Sequence, residues 1–171
     1  SRRSALFLVA MQTLPDLCAD LAELPSLKAL AAAIARRPQR LQVAPLPAAT
    51  RTPVVAALAH RLTAPIVYVV PSGDAALRAA EDLRQWLGPA AVLLFPASDS
   101  MPYEHMSPGA QVVGRRLRVL TTLARGRPPA ADGQPPREDG AGSRRPLGIV
   151  APVKALMQPT LSREELAGAS V

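Results

Sequence analysis

The sequence is poor in several residue types on which binding sites and cores commonly depend. Its single cysteine, Cys18, excludes an intramolecular disulfide framework and a zinc site with several cysteine ligands. Aromatic residues make up only 3% of the 171 residues, so the core has to be built from Ala, Leu and Val. No apolar run reaches the roughly 18 residues that a membrane-spanning helix needs. These absences favour one globular domain that makes no contact with a membrane.

The N-terminal extension, residues 1–13, has only a superficial similarity to an export signal. Arg2 and Arg3 precede a short apolar run from Ala5 to Met11. No small-x-small cleavage site follows this run, as a secretory signal requires. We therefore expect a cytoplasmic protein.

The net charge of +7 attracts polyanions without identifying one. Nearly all of the 20 basic residues are arginines, which together with abundant alanine is typical of a biased genome composition. The densest basic cluster, residues 115–127, offers Arg115, Arg116 and Arg118 as possible DNA contacts. Because the cluster lacks interleaved aromatic residues for base stacking, we favour a solvated helix face. Weak, non-specific DNA binding remains the alternative.

Hydrophobic periodicity predicts an α/β domain over residues 14–158. Strands are predicted at 41–44, 66–70, 92–95 and 147–151. Helices are predicted at 14–24, at 27–37 with Ser26 as N-cap, and from Pro53 with Thr52 as N-cap. A further helix is predicted after an N-cap at Ser72 or Asp74, running to Leu87 and ended by Gly88, and two more at 110–124 and 153–157. Alternating strands and helices are typical of an open, mostly parallel sheet with helices on both faces. The continuous apolar strand at 66–70 is expected to be covered on both sides.

Two segments are expected to lie outside this regular framework. Residues 127–146 are rich in proline and charge and contain no apolar residue larger than alanine. Such a segment buries too little to offset its ordering entropy, so we expect a disordered insertion. Residues 159–171 form a tail with one short helical turn at 162–166.

The loop that leads into the helix at Pro53 is where a P-loop fold binds phosphate. That chemistry needs G-x-x-x-x-G-K-[ST], with glycines for close backbone approach and a lysine for the phosphates. Residues 44–52 contain neither glycine nor lysine, and their prolines remove backbone donors. We therefore predict a degenerate loop without nucleotide or other cofactor, represented by Ala44, Pro45, Thr50, Arg51 and Thr52.

No catalytic or metal-binding constellation is evident. His60 and His105 have no partner spacing typical of a triad or a metal site. Asp99 and Glu104 are acidic loop residues, which are far more often caps or surface charges than an acid–base pair. Cys18 lies among leucines without nearby cations, which favours a buried, inert thiol. We predict no catalytic residue and no metal.

The loop after the strand at 92–95 is the most informative segment of the chain. Its prolines stiffen it, and Tyr103 and Met106 are large groups suited to packing or binding. Long ordered loops at the carboxyl end of a sheet strand are where α/β folds place function. The residues predicted to form a structural or partner-contacting loop are Asp99, Pro102, Tyr103, Glu104, Ser107 and Pro108.

The same loop resembles the N-terminal, UvrB-like module of the bacterial transcription-repair coupling factor (Mfd), whose pattern reads approximately FPAWDTLPYERxSPxxxxxxxRLxxLxxL. The matching positions are Phe95 to Ala97, Asp99, Pro102 to Glu104, Ser107, Pro108, Arg116, Leu117, Leu120 and Leu123. Ser98 stands where an aromatic residue is usual, which is expected to loosen local packing. Residues 24–27, 64–71, 80–83 and 149–158 are similar to the family as well, so the resemblance spans roughly 14–160.

This resemblance implies a P-loop-like fold, similar to domain 1a of UvrB, that has lost its Walker motif. It implies an amino-terminal fragment that is not an enzyme by itself, because the translocase domains of the family lie further along the chain. The implied role is docking and regulation in transcription-coupled nucleotide excision repair. The implied partners are the remaining domains of the coupling factor and, through the full-length protein, UvrA, RNA polymerase and DNA.

Overall fold

A small parallel sheet organises the part of the chain that this computed structural model describes, residues 13–36, 40–98, 109–125 and 147–168. The strands in these ranges are β1 (Ile66–Val70), β2 (Val92–Leu94) and β3 (Gly148–Pro152). The helices are α1 (Leu14–Ala22), α2 (Pro25–Ala35), α3 (Ala48–Arg61), α4 (Gly73–Leu87), α5 (Ala110–Arg125), α6 (Val153–Leu156) and α7 (Arg163–Gly168). A short 3-10 helix, Pro89–Ala91, leads into β2.

The sheet has the order β1-β3-β2, and both strand pairs are parallel. The last strand in sequence therefore lies in the middle, where Ile149 is paired with Val67 on one side and Leu93 on the other. Helix α4 connects β1 to β2, as parallel strands require. This arrangement confirms the predicted open, parallel α/β fold.

Alternate residues of the strands face two separate hydrophobic clusters. Towards α4 point Tyr68, Val70, Val92 and Val150, which pack with Ala76, Ala80 and Leu83. Towards α5 and α6 point Leu93, Phe95, Ile149 and Ala151, which pack with Val119 and Ala155. Helices therefore cover both faces of the sheet, as predicted.

The prediction that β1 is covered on both sides is wrong. Val67 and Val69 are 46% and 42% exposed. They lie in register with Ile149 and Ala151 of β3, on the face that α5 and α6 cover. Those helices pack on β2 and β3, whereas β1 is the edge strand beyond their reach.

Helix α4 is delimited by its sequence and brought close to the sheet by a glycine. Its N-cap Ser72 accepts a hydrogen bond from the Ala75 amide at 3.2 Å. It ends at Gly88, whose φ of 88° and ψ of 155° are accessible essentially only to glycine. A Cβ atom at Gly148 would lie 2.8 Å from Cδ2 of Leu83, so this glycine permits the close approach of α4 to β3.

The predicted strand at 41–44 is wrong. This segment is part of a stretch without regular secondary structure, and Leu41 and Val43 are exposed. A strand of four residues has no stability without a hydrogen-bonded neighbour, and no neighbour is provided by the described sheet. Val43 and Leu46 instead line a groove beside α1, α2 and α3.

Helix α3 begins one turn earlier than predicted. It starts at Ala48 after the N-cap Pro47, so Thr52 is not the cap and Pro53 lies inside the helix. An interior proline costs about 3 kcal/mol. Packing outweighs this cost because α3 buries Thr52, Ala56 and Ala59 at helical spacing and contacts α1 and α4.

Of two further predictions about helices, the N-cap of α2 is wrong and the C-terminal helical turn is confirmed. Ser26 is not the cap of α2: the helix starts at Pro25, whose missing amide proton suits the first helical position. The short helical turn predicted near the C-terminus is present as α7, where Ser162 and Glu165 form reciprocal capping hydrogen bonds at 2.7 and 3.2 Å. Helix α7 packs against α5.

Two sequence-based expectations concern residues that the structure leaves undescribed. The N-terminal apolar run and the insertion at 127–146 both lie outside the described residues. Within the described ranges, no helix combines the length and apolar character needed to cross a membrane.

Candidate docking surface

The start of α3 shows where the polar groups of the degenerate loop are directed. Arg51 donates from Nε to the Leu46 carbonyl at 3.2 Å, and Thr50 donates from Oγ1 to the Pro47 carbonyl at 2.8 Å. Both side chains thus bind carbonyl groups of their own loop, and Thr52 is buried in the helix. Ala44 and Pro45 are exposed and belong to no strand. The loop therefore does not form the strand-to-helix turn on which a phosphate site is built.

Arg116 lies at the centre of a network that the sequence did not reveal. Its Nη1 donates to the Pro96 carbonyl at 2.9 Å and to Oε1 of Gln158 at 3.2 Å. A weaker contact from Nη1 reaches the Ala155 carbonyl at 3.5 Å, and Nη2 donates to the Pro159 carbonyl at 3.3 Å. Its guanidinium carbon lies 4.3 Å from the centre of the Phe95 ring, a cation–π distance. Burial lowers the pKa of this guanidinium.

Gln158 extends this network to the loop that follows β2. Its Nε2 donates to the Ser98 carbonyl at 2.9 Å, and its Oε1 accepts from the Ser98 amide at 2.7 Å. We call Phe95, Pro96, Ser98, Arg116 and Gln158 the Arg116 clamp. The clamp joins the end of β2, helix α5 and the segment after α6. Both hydrogen bonds to Gln158 involve main-chain atoms of Ser98, so they do not depend on the side chain at that position.

The Arg116 clamp joins residues that the sequence pattern contains in separate segments. Phe95-Pro96, Arg116 and Gln158 come from separate segments of the resemblance, and the structure brings them together. Arg116 is thereby the least accessible of the three arginines predicted to contact DNA, whereas Arg115 and Arg118 are exposed on α5. The co-occurrence of these residues in one pattern was the only sequence signal for the clamp.

The structure does not describe the loop that the clamp precedes. The residues predicted as a structural or partner-contacting loop, Asp99, Pro102, Tyr103, Glu104, Ser107 and Pro108, lie outside the described ranges. Their role stays a prediction. The clamp holds the main chain of Ser98, the last described residue before them.

A basic groove lies along the edge strand β2 and is lined by residues of α4 and α5. Arg84 on α4 and Arg115 and Arg118 on α5 line it together with Leu77. Its other lining residues are Pro89, Ala90, Val92, Leu93, Leu94 and Val119. The cavity volume is about 400 Å³. We call it the arginine groove; it brings Arg84 next to arginines that are distant in sequence.

A second groove, of about 490 Å³, is almost wholly apolar. It lies between α2, α3 and the segment before α3, with Trp86 of α4 at one side. Its lining includes Leu27, Leu30 and Val54, which also form the small hydrophobic cluster that joins α2 to α3. The groove carries no charged residue and hence no chemistry of its own.

The described residues contain no group of three or more His, Cys, Asp and Glu side chains arranged to hold a metal ion. His60 is exposed in the last turn of α3. Cys18 lies on α1 and is buried in the hydrophobic cluster that includes Ala80 and Leu83 of α4, which confirms the predicted burial.

Burial raises the pKa of the Cys18 thiol from 9.0 to about 11. The unfolded chain therefore loses this proton at lower pH than the folded chain, so stability is retained below pH 9 and falls as the pH rises towards 11. We expect iodoacetamide at pH 8 to leave native Cys18 unmodified and to alkylate it in urea, as measured by mass spectrometry. Equal labelling rates with and without urea would contradict the buried position.

These features define a class: an open parallel α/β module in which the loop before α3 contains no glycine or lysine for phosphate binding, and in which Arg116 ties the end of β2 to α5. Two curated relatives, the transcription-repair-coupling factors of Mycobacterium bovis and Mycobacterium tuberculosis, are each 36% identical to the chain over 114 residues. The transcription-repair-coupling factor of Myxococcus xanthus is 37% identical over 97 residues. No protein-family profile matches the chain.

The matched regions cover most of this chain and little of the relatives. They comprise 66% of the chain for the two mycobacterial proteins and 53% for the Myxococcus protein. The chain spans about 8% of the length of each relative. These matches confirm the resemblance to the amino-terminal part of a transcription-repair coupling factor that the motifs indicate.

Proposed function

We propose that this chain serves as a non-catalytic docking and regulatory module of a transcription-repair coupling factor in transcription-coupled nucleotide excision repair. The similarity to three such factors supports a role in this repair process. The observation that carries the non-catalytic role is the start of α3, where Arg51 and Thr50 are bonded to carbonyl groups of their own loop. A nucleotide-binding turn would direct its donors at phosphate instead.

The exposed apolar residues support a docking role. Val67 and Val69 on β1 are about half-exposed, and Met157 after α6 is 80% exposed. Exposed apolar groups that cluster on a surface are typical of interaction sites. The partners we propose are the remaining domains of the coupling factor and, through the full-length protein, UvrA, RNA polymerase and DNA.

We expect the purified chain to hydrolyse no ATP in the presence of magnesium, because its loop lacks a phosphate cradle. A coupled phosphate-release assay checks this, with Arg51→Ala as a variant expected to behave identically. Magnesium-dependent hydrolysis that Arg51→Ala abolishes would overturn the non-catalytic role.

The docking role is tested separately by calorimetric titration with the Myxococcus xanthus coupling factor from which its own matching segment has been deleted. A failure to bind would overturn it.

A second candidate function is weak, non-specific DNA binding by the arginine patch at 115–127. The exposure of Arg115 and Arg118 on α5 favours it. The engagement of Arg116 in the clamp counts against it, because its guanidinium is already surrounded by carbonyl acceptors. Binding of this kind depends steeply on salt, with a slope that reports the number of phosphate contacts.

A further inference from the structure

The arginine groove brings three arginines, from helices on the two sides of β2, to one cavity. Arg84 projects from α4, and Arg115 and Arg118 project from α5. No Asp or Glu is among the lining residues. Within the described part of the chain, Arg84 and Arg115 take part in no salt bridge, since the ion pairs found there join Glu23 to Lys28 and Arg61. Two arginines of the groove, Arg84 and Arg115, thus carry a charge that no salt bridge among the described residues neutralises.

The rest of the lining, which we call the floor, consists of apolar residues. Leu93 and Leu94 of β2 and Val119 of α5 form part of it, and Leu77 of α4 is 51% exposed at its side. An apolar floor with a few convergent polar groups is typical of a binding site, because the floor supplies contact area and the polar groups set orientation. A ligand that fits this groove has apolar side chains that contact the floor and negative charges that pair with the arginines.

We propose that the arginine groove binds an acidic peptide segment of a partner protein, in which Asp or Glu residues flank a large apolar side chain. Guanidinium groups bind carboxylates through two parallel hydrogen bonds, which favours this pairing. Duplex DNA fits less well, because its backbone presents phosphates but no apolar side chains to the leucines and valines of the lining. Single-stranded nucleic acid would need aromatic side chains for stacking, and none lines the groove.

This inference goes beyond the proposed role in repair, because it depends on the lining of the groove alone. Its test uses fluorescence anisotropy with a fluorescein-labelled peptide of Asp-Asp-Leu repeats. We expect saturable binding by the full chain, and much weaker binding of Asn-Asn-Leu and Asp-Asp-Ser repeats, which lack the charges and the apolar groups respectively. The double variant Arg84→Gln/Arg115→Gln should bind the Asp-Asp-Leu peptide about tenfold more weakly.

The matched control is Arg40→Gln/Arg78→Gln, which removes the same charge from two exposed arginines outside the groove. We expect it to bind the peptide as the unmodified chain does. An equal loss in this control would show general charge attraction and overturn the proposal. Stronger binding of duplex or single-stranded DNA, in competition with the peptide, would overturn it in favour of a nucleic-acid surface. Circular dichroism of every variant verifies that the fold is intact.

Discussion

Replacing Leu83 with alanine is expected to lower the free energy of unfolding by about 3 kcal/mol, the largest effect predicted for this chain. Leu83 has 0% exposure in the cluster between α4 and the sheet. The substitution removes buried methyl groups and leaves a cavity, because α4 and β3 are held by neighbours that collapse only in part. Urea denaturation followed by circular dichroism measures the change.

A double-mutant cycle with Gly148 tests this interpretation. Gly148→Ala alone should destabilise by about 1–3 kcal/mol, since its Cβ would meet Cδ2 of Leu83 at 2.8 Å. With Leu83→Ala the clash disappears and the new methyl group occupies part of the cavity, so the two costs should not add. Gly73→Ala, where nothing lies within 4 Å, is the matched control and should be neutral or slightly stabilising. Simple additivity of the two substitutions would contradict the packing described for α4.

Replacing Arg116 with alanine is expected to lower the free energy of unfolding by about 2–3 kcal/mol, since several charge-assisted hydrogen bonds and one ring contact are lost together. The Pro96 carbonyl, half-buried beside α5, then has no guanidinium donor. For a chain of this size the melting temperature should fall by roughly 6–10 °C. Thermal unfolding followed by circular dichroism measures it.

Two variants separate the clamp from a general effect of charge. Arg115→Ala removes the same charge one residue away, at an exposed position, and should change stability by no more than about 0.5 kcal/mol. Arg116→Lys keeps the charge but lacks the planar fork, so it should recover only part of the loss. Hydrogen exchange of the Ser98 amide, which donates to Gln158, should accelerate in Arg116→Ala but not in Arg115→Ala. Equal destabilisation by Arg115→Ala would refute the clamp.

Local patterns predicted the elements whose formation depends on neighbours in sequence. The apolar run at 66–70 forms β1, and the stretch from Ser72 to Gly88 carries both its N-cap and its terminating glycine. The same reasoning failed at 41–44, where strand-like residues have no sheet neighbour in the described structure. It failed at Pro53 because burial of Thr52 and the alanines of α3 outweighs a local preference. At 41–44 a missing contact with a distant strand decided the outcome, and at Pro53 the packing of α3 against α1 and α4 decided it.

The amino-acid sequence alone determined the α/β class, the parallel sheet and the absence of glycine and lysine from residues 44–52, because each depends on residue type and spacing along the chain. Only the tertiary structure decided that Arg116 binds Pro96 and Gln158 and that Arg84 and Arg115 line one groove. Arg116 is separated by 20 residues from Pro96 and by 42 from Gln158. Contacts of that range arise from the stacking of helices on a sheet, which a local pattern does not encode.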